Sequence, residues 1–213
     1  MEALGLDACR GKWLGVALDD SGFVGAHIHV DAAALVSHWP DVVAVGVDIP
    51  IGLPEKPLRE ADRAAREFVG ARRSSVFPTF PVEVLTSPTY DDAKRLSSAN
   101  GWPMPSLQSY GMRHRILEID MLARTDERII EVHPEVSFRE LFGHPLAAKR
   151  TVAGVSERRS ALARAGIEVP ELPYPIDDLL DAAVVAWTAR RYARGEALAL
   201  PSYQPSRIGP IWR

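Results

Sequence analysis

The residues best suited to chemistry are acids that fall where secondary-structure elements end. Asp7 closes an apolar run from Ala3 to Leu6, and Asp48 closes a β-branched run from Val42 to Val47. Glu131 and Glu135 flank the end of a strand-like segment from Arg128 to His133, and Asp177, Asp178 and Asp181 open a long helix. If the first and the β-branched strands are parallel neighbours, their C-terminal ends bring Asp7 and Asp48 to one sheet edge, where α/β sites form. Two carboxylates held that close repel and raise each other's pKa unless a cation compensates. Mg²⁺ or Mn²⁺ answers that need, since such ions take a few carboxylates, keep water and bind phosphate oxygens. The predicted centre has Asp7 and Asp48 sharing a metal, with Asp178 or Asp181 and Glu131 completing its shell. His133, two residues beyond Glu131 on the same strand face, is expected to relay protons. Each residue also has a plainer reading alone, as a turn residue, a helix cap or a hydrogen-bonded strand end. Convergence is what separates the two readings, and topology decides it.

Phosphate-holding groups come next. Arg59, Arg63 and Arg66 share a helical face that runs into Gly70-Ala71-Arg72-Arg73-Ser74-Ser75, where guanidinium and hydroxyl donors cluster. Arg72, Arg73, Ser74 and Ser75, together with Lys149 and Arg158, are the expected phosphate contacts. A solvated face paired with Glu60, Asp62 and Glu67 accounts for the helical arginines equally well. Gly5-x5-Gly11-Lys12-Trp13 has one intervening residue too many for a P-loop and Trp where a hydroxyl is needed, and no GxGxxG follows a strand. Nucleotide-cradle and dinucleotide chemistry are set aside. Cys9 reads as a packed thiol.

The elements that must position these groups begin with three strands, Ala3 to Leu6, Trp13 to Leu18 and Phe23 to Val30, read as an antiparallel meander with a turn at Asp19-Asp20-Ser21-Gly22. Asp31 caps a helix through about His38, and Val42 to Val47, apolar or glycine throughout, suits a central strand covered on both faces. Helical spacing recurs at Leu58 to Val69, Asp91 to Ser98 and Gln108 to Leu122, which predicts a helical insertion over about 54–126. Helices follow from Pro134 through Leu141, near Ser156 to Ala165, and from Asp177 to Arg194, the last amphipathic with Leu180, Val184 and Trp187 toward the core. Arg190, Arg191 and Arg194 suit its C-terminus. The order predicts an α/β chain whose mixed sheet joins a meander to parallel strands, flanked by helices. That is the order of the ribonuclease H-like fold, in a single domain over 1–213.

Composition agrees. The chain has 213 residues, 46% hydrophobic and 25% charged, which excludes a disordered tail, a collagenous chain or a disulfide scaffold. With Lys+Arg 25 against Asp+Glu 28, the formal charge is -3, so a nucleic-acid substrate must meet a local basic patch. The single cysteine, the absence of an apolar run long enough to span a bilayer and the acid at Glu2 predict a cytoplasmic protein without membrane association.

With these residues in view, the chain resembles a bacterial and archaeal family catalogued as domain of unknown function 429, described as nucleases of ribonuclease H-like fold. The resemblance runs almost end to end. It is carried by Gly5-Leu6-Asp7-Ala8-Cys9-Arg10 with Trp13, by Asp48-Ile49-Pro50-Ile51-Gly52-Leu53, and by Arg59-x-x-Asp62-x-x-Ala65-Arg66 leading to Ser74-Ser75-Val76-Phe77. It continues through Glu131-Val132-His133-Pro134-Glu135-Val136-Ser137-Phe138, Lys149-x-Thr151-x-x-Gly154-x-x-x-Arg158 and Asp178-x-x-Asp181-Ala182. The family often has Gly where Ala8 and Lys12 stand, and the helix from Asp31 to His38 lacks the mid-helix acid of well-studied ribonuclease H enzymes. Glu131 is expected to substitute for that acid.

These readings lead to a metal-dependent phosphodiesterase acting on nucleic acid. Two alternatives stay open: a hydrolase or transferase for a small phosphorylated metabolite, and a binding or scaffold protein whose acids are caps and ion pairs.

Overall fold

The computed structural model describes residues 2–203 and 207–213. Its centre is a five-stranded sheet built from β1 (Glu2–Cys9), β2 (Lys12–Asp19), β3 (Gly22–His29), β4 (Val42–Val47) and β5 (Ile129–Glu131), in the order β3-β2-β1-β4-β5. β1, β2 and β3 form the antiparallel meander, whereas β4 pairs parallel to β1 and β5 parallel to β4. This topology is ribonuclease H-like.

Helix α1 (Ala32–Ser37) starts at Asp31, whose carboxylate accepts from Ala34 N at 2.7 Å. Between β4 and β5 lie α2 (Glu60–Val69), a 3₁₀ helix (Gly70–Ser75), α3 (Val82–Leu85), α4 (Tyr90–Ala99), α5 (Leu107–Gly111) and α6 (Arg113–Thr125). The helical spacing from Gln108 to Leu122 is therefore split, because α5 closes on Met112 and α6 begins after it. After β5 come α7 (Pro134–Phe142), with proline in its first turn, α8 (Val152–Arg164) and α9 (Ile176–Ala193). A short pair, β6 (Ala199–Leu200) and β7 (Ile211–Trp212), closes the described chain. Neither strand was expected from the sequence, because two residues carry no readable alternation.

Side chains alternate across the sheet with period two. Leu4 and Leu6 of β1 and Val45 and Val47 of β4 pack with α1 and α6 on one face. On the other face the strands offer Ala3, Gly5, Ala44 and Gly46, and α9 lies against them. The expected amphipathic character of α9 is not what is found. Leu179, Leu180, Ala182, Ala183, Val184, Val185, Ala186 and Ala189 are all buried, since the sheet covers one side of the helix and α7 and α8 cover another, and Trp187 is only partly covered. A helix buried nearly all round has no polar stripe to reveal.

The approach of α9 is close enough to require glycine. A Cβ on Gly5 would stand 2.1 Å from the Ala182 carbonyl oxygen, and one on Gly46 would stand 2.8 Å from Val185 Cγ1. Gly5→Ala should push α9 off the sheet and cost about 1–3 kcal/mol or more. In a chain of this length that lowers the melting temperature by roughly 2–4 °C per kcal/mol. Gly25→Ala, where a Cβ meets nothing within 4 Å, is the matched control and should melt close to wild type in a circular-dichroism scan.

Candidate active site

The register of β1 and β4 sets the site. Leu6 pairs with Val47, and Asp48 N donates to the Leu6 carbonyl at 3.1 Å, so Asp7, still in β1, and Asp48, just past β4, stand side by side. Period two carries both acids to the face occupied by α9, directly beyond the glycines that admit that helix. The first turns of α9 then supply Asp178 and Asp181 from above. Asp7, Asp48, Asp178 and Asp181 line one cleft of about 470 Å³ with His133, Glu135 and Lys149. The four aspartates thus line the same cleft.

Their electrostatics follow from crowding. Burial, then the charges of Asp48, Asp181 and Asp178, hold the Asp7 carboxyl well above its ordinary range, opposed by Lys149. Burial also raises Asp48, with His133 and Lys149 pulling the other way. Asp181 is pushed up to about 6 by burial despite Lys149, whose Nζ donates to Asp181 Oδ2 at 2.7 Å. Asp178 is raised by burial and accepts from the Cys9 thiol. That bond and burial push the thiol up to about 12, so Cys9 is a packed donor rather than a nucleophile.

Glu131 lines the same cleft, but its carboxylate is engaged by the protein itself. It is 4% exposed, and both oxygens are taken: Arg59 Nη1 and Nη2 donate at 2.8 and 2.6 Å, and Ile51 N donates at 2.6 Å. Arg59 also bonds Asp62, which in turn accepts from the N–H and hydroxyl of Thr79. Glu131 ends β5, the short edge strand that pairs with β4, and so lies beside the loop that leaves β4. Its charge is spent on holding Ile51, and so on fixing the segment that begins with Asp48. Arg59 likewise does not share a face with Arg63 and Arg66; it precedes α2 and turns into the core. Arg59 and Asp62 are the positioning residues that helical spacing concealed, and the signal available was their three-residue separation at a helix start.

His133 stands at the start of α7, near enough to Asp48 for its charge to act there. Its Nε2 lies 3.3 Å from the Ser75 carbonyl oxygen, which can only accept, so the proton sits on Nε2. Nδ1 is buried without a hydrogen-bond partner. Glu135 pairs with Arg158 at 2.7 Å.

The expected phosphate contacts divide. Arg158 is 1% exposed and donates to Ala147 O, Gly154 O and Glu135. Arg72 donates to Leu146 O at 2.9 Å. Both are turned toward the protein because the loop between α7 and α8 leaves carbonyls for them to satisfy. Ser75 lines the cleft while its hydroxyl donates to Arg72 O, and Ser74 and Arg73 are exposed. Arg73 lines a separate shallow hollow with Arg63, Arg66 and Gly70. Lys149 alone among the expected basic contacts reaches the aspartates.

A meander continued by parallel strands, with a carboxylate cleft at their C-terminal edge, defines an α/β protein of ribonuclease H-like fold. The model of the family described as protein of unknown function (DUF429) matches residues 5–205, and the chain belongs to that family. A solved structure of RuvC from Thermus thermophilus is similar at 13% identity, over 99% of this chain and 100% of that one, with a TM-score of 0.39. That likeness is too distant to transfer chemistry. No curated protein matches the chain. Among the described residues no helix is long and apolar enough to cross a membrane.

The donor set suits a hard divalent ion without forming a complete cage. Among the described residues, no three acidic, histidine or cysteine side chains are drawn together as a ready-made metal centre. Asp7 and Asp48, however, are buried or half-buried carboxylates with no ion pair among the described residues. Mg²⁺ commonly takes one or two protein carboxylates and completes its shell with water and substrate phosphate.

The raised carboxyls have a measurable consequence. A folded-state pKa of about 6 for Asp181 against an ordinary 3.8 means that the folded state binds more protons between these values. Stability from this group is therefore full below about 3.8 and is lost as pH rises through 6, and raised Asp7 and Asp48 act in the same sense. Melts in EDTA should show this loss from pH 4 to 7, set against other titrations by repeating them on Asp7→Asn, whose profile should be flatter. An identical profile in the variant would remove Asp7 from the account.

Proposed function

We propose that this protein is a divalent-metal-dependent phosphodiesterase acting on nucleic acid. The observation that supports it is the uncompensated charge on Asp7 and Asp48 at the floor of a cleft that Asp178 and Asp181 complete. Asp7 and Asp48 would hold Mg²⁺ or Mn²⁺, with Asp178 beside them. Such an ion supplies a water of lowered pKa and charge stabilisation for the departing oxygen. His133 would serve as the proton acceptor through Nδ1, which has no hydrogen-bond partner, while its Nε2 lies 3.3 Å from Ser75 O. Glu131, locked to Arg59, keeps the Asp48 segment in place and is given no ligand role here. Arg150, exposed at the cleft, would meet incoming phosphates.

A second reading, hydrolysis or transfer on a small phosphorylated metabolite, is favoured by one observation. The cleft volume of about 470 Å³ lies in the roughly 300–1,000 Å³ range of small-molecule pockets. Arg72 and Arg158, turned inward, also leave fewer cations for a long polyanion.

Asp7→Asn and Asp48→Asn should each lower Mn²⁺-dependent cleavage of single-stranded oligonucleotides by at least about a hundredfold, more than the 10–100-fold cost of losing an outer-shell partner. In EDTA at pH 8 both variants should melt no lower than wild type, because a buried repulsion is removed. Cleavage that survives either substitution would dismiss the assignment. Oligonucleotide affinity should fall with log salt at a slope of about −0.7 per phosphate contacted. A slope near zero together with turnover of a phosphorylated metabolite would select the second reading.

A further inference from the structure

The acids around the cleft are unequal, because most of them already hold a cation of the protein's own. Glu131 holds Arg59, Glu135 holds Arg158 and Asp181 holds Lys149. Asp177 lies 3.9 Å from Arg150. Of the acids lining the cleft, only Asp7, Asp48 and Asp178 remain without an ion pair among the described residues, which is enough carboxylate for one hard ion. Lys149 lies on Asp181, the fourth aspartate of the cleft, and close enough for its charge to act on Asp7 and Asp48.

The chain around Lys149 is built to hold it there. The loop from α7 to α8 is clamped at successive residues: Arg72 donates to Leu146 O, Arg158 donates to Ala147 O, and Ala147 N donates to Glu157 at 2.7 Å. Thr151 caps α8, accepting from Gly154 N at 3.0 Å and donating to Ala148 O at 2.8 Å. A Cβ on Gly154 would fall 2.0 Å from that same Ala148 oxygen, so only glycine lets the loop lie across the helix start. Lys149-x-Thr151-x-x-Gly154-x-x-x-Arg158 is thus one device that aims a single ammonium group. Its carboxylate neighbours raise the lysine's pKa despite partial burial, which keeps it charged at any working pH.

We infer that Lys149 is a resident counter-cation that takes the place of a second divalent ion, so that the centre binds one metal and the lysine neutralises Asp181. This rests on the metal-dependent reading above and narrows it to a one-ion centre. An ammonium fixed by the fold has no affinity to satisfy, so the site needs one solution ion rather than two.

Counting bound Mn²⁺ by electron paramagnetic resonance tests it without reference to activity. Wild type and Lys149→Arg should bind one Mn²⁺ per chain. Lys149→Met, which keeps the length and removes the charge, should bind two, the second within about tenfold of the first in affinity. Lys149→Gln, whose amide can still donate to Asp181, is the substitute if the methionine variant does not fold, and should also bind two. Two ions in wild type, or one ion of unchanged affinity in the neutral variants, would overturn the inference and leave the metal-dependent reading standing. No specific Mn²⁺ in either protein would overturn both.

Discussion

The constraint on which the site depends is the contact between a buried helix and two glycines. Gly5 and Gly46 lie on adjacent parallel strands and share a face; α9 lies with its backbone directly on Gly5 and with Val185 against Gly46. Two residues further on, the same face carries Asp7 and Asp48. The helix that needs the glycines therefore brings Asp178 and Asp181 to the aspartates, and the distance at which the carboxylates meet is set by backbone packing rather than by flexible side chains. Interiors packed to this density transmit displacement, so an error of an ångström at Gly5 becomes an error of similar size in the cleft.

A cluster of acids placed so firmly has to be reconciled with burial. The protein does this unevenly. Glu131 and Glu135 receive arginines with good hydrogen-bond geometry, and these pairs hold neighbouring segments in place. Removing one partner of such a pair typically costs about 3–5 kcal/mol, because the other is left charged and alone. Asp181 receives Lys149. Asp7 receives only the Ala8 N–H, which donates to its Oδ1 at 2.8 Å, and neither it nor Asp48 has an ion pair among the described residues, so burial raises both carboxyls. The carboxylates left uncompensated are where an external cation has most to offer.

Much of this arrangement was legible in the sequence, for physical reasons that differ by element. The meander and β4 were readable because β-branched and apolar runs stop at turn residues, and Asp31 marked α1 as a cap. The pairing of Asp7 with Asp48 follows from two apolar runs that end in an acid and pair in parallel. Gly5-Leu6-Asp7 and Gly46-Val47-Asp48 repeat a Gly-x-Asp spacing that carries the helix contact and the acid together, and it went unread. The role of Glu131 was not legible, because a strand-end carboxylate looks alike whether it faces a cleft or a buried arginine. Arg72 and Arg158 were misplaced for a related reason: clustered cations suggest phosphate, whereas here unsatisfied loop carbonyls claim them. The all-round burial of α9 was hidden because alanine-rich helices show little contrast between faces.

Crystals grown with Mn²⁺ and measured at a wavelength giving an anomalous signal test the central claim most directly. One anomalous peak within roughly 2.0–2.6 Å of an oxygen from both Asp7 and Asp48 is the predicted result. A well-ordered cleft with no peak at that pair, or with manganese bound only elsewhere on the molecule, would contradict it.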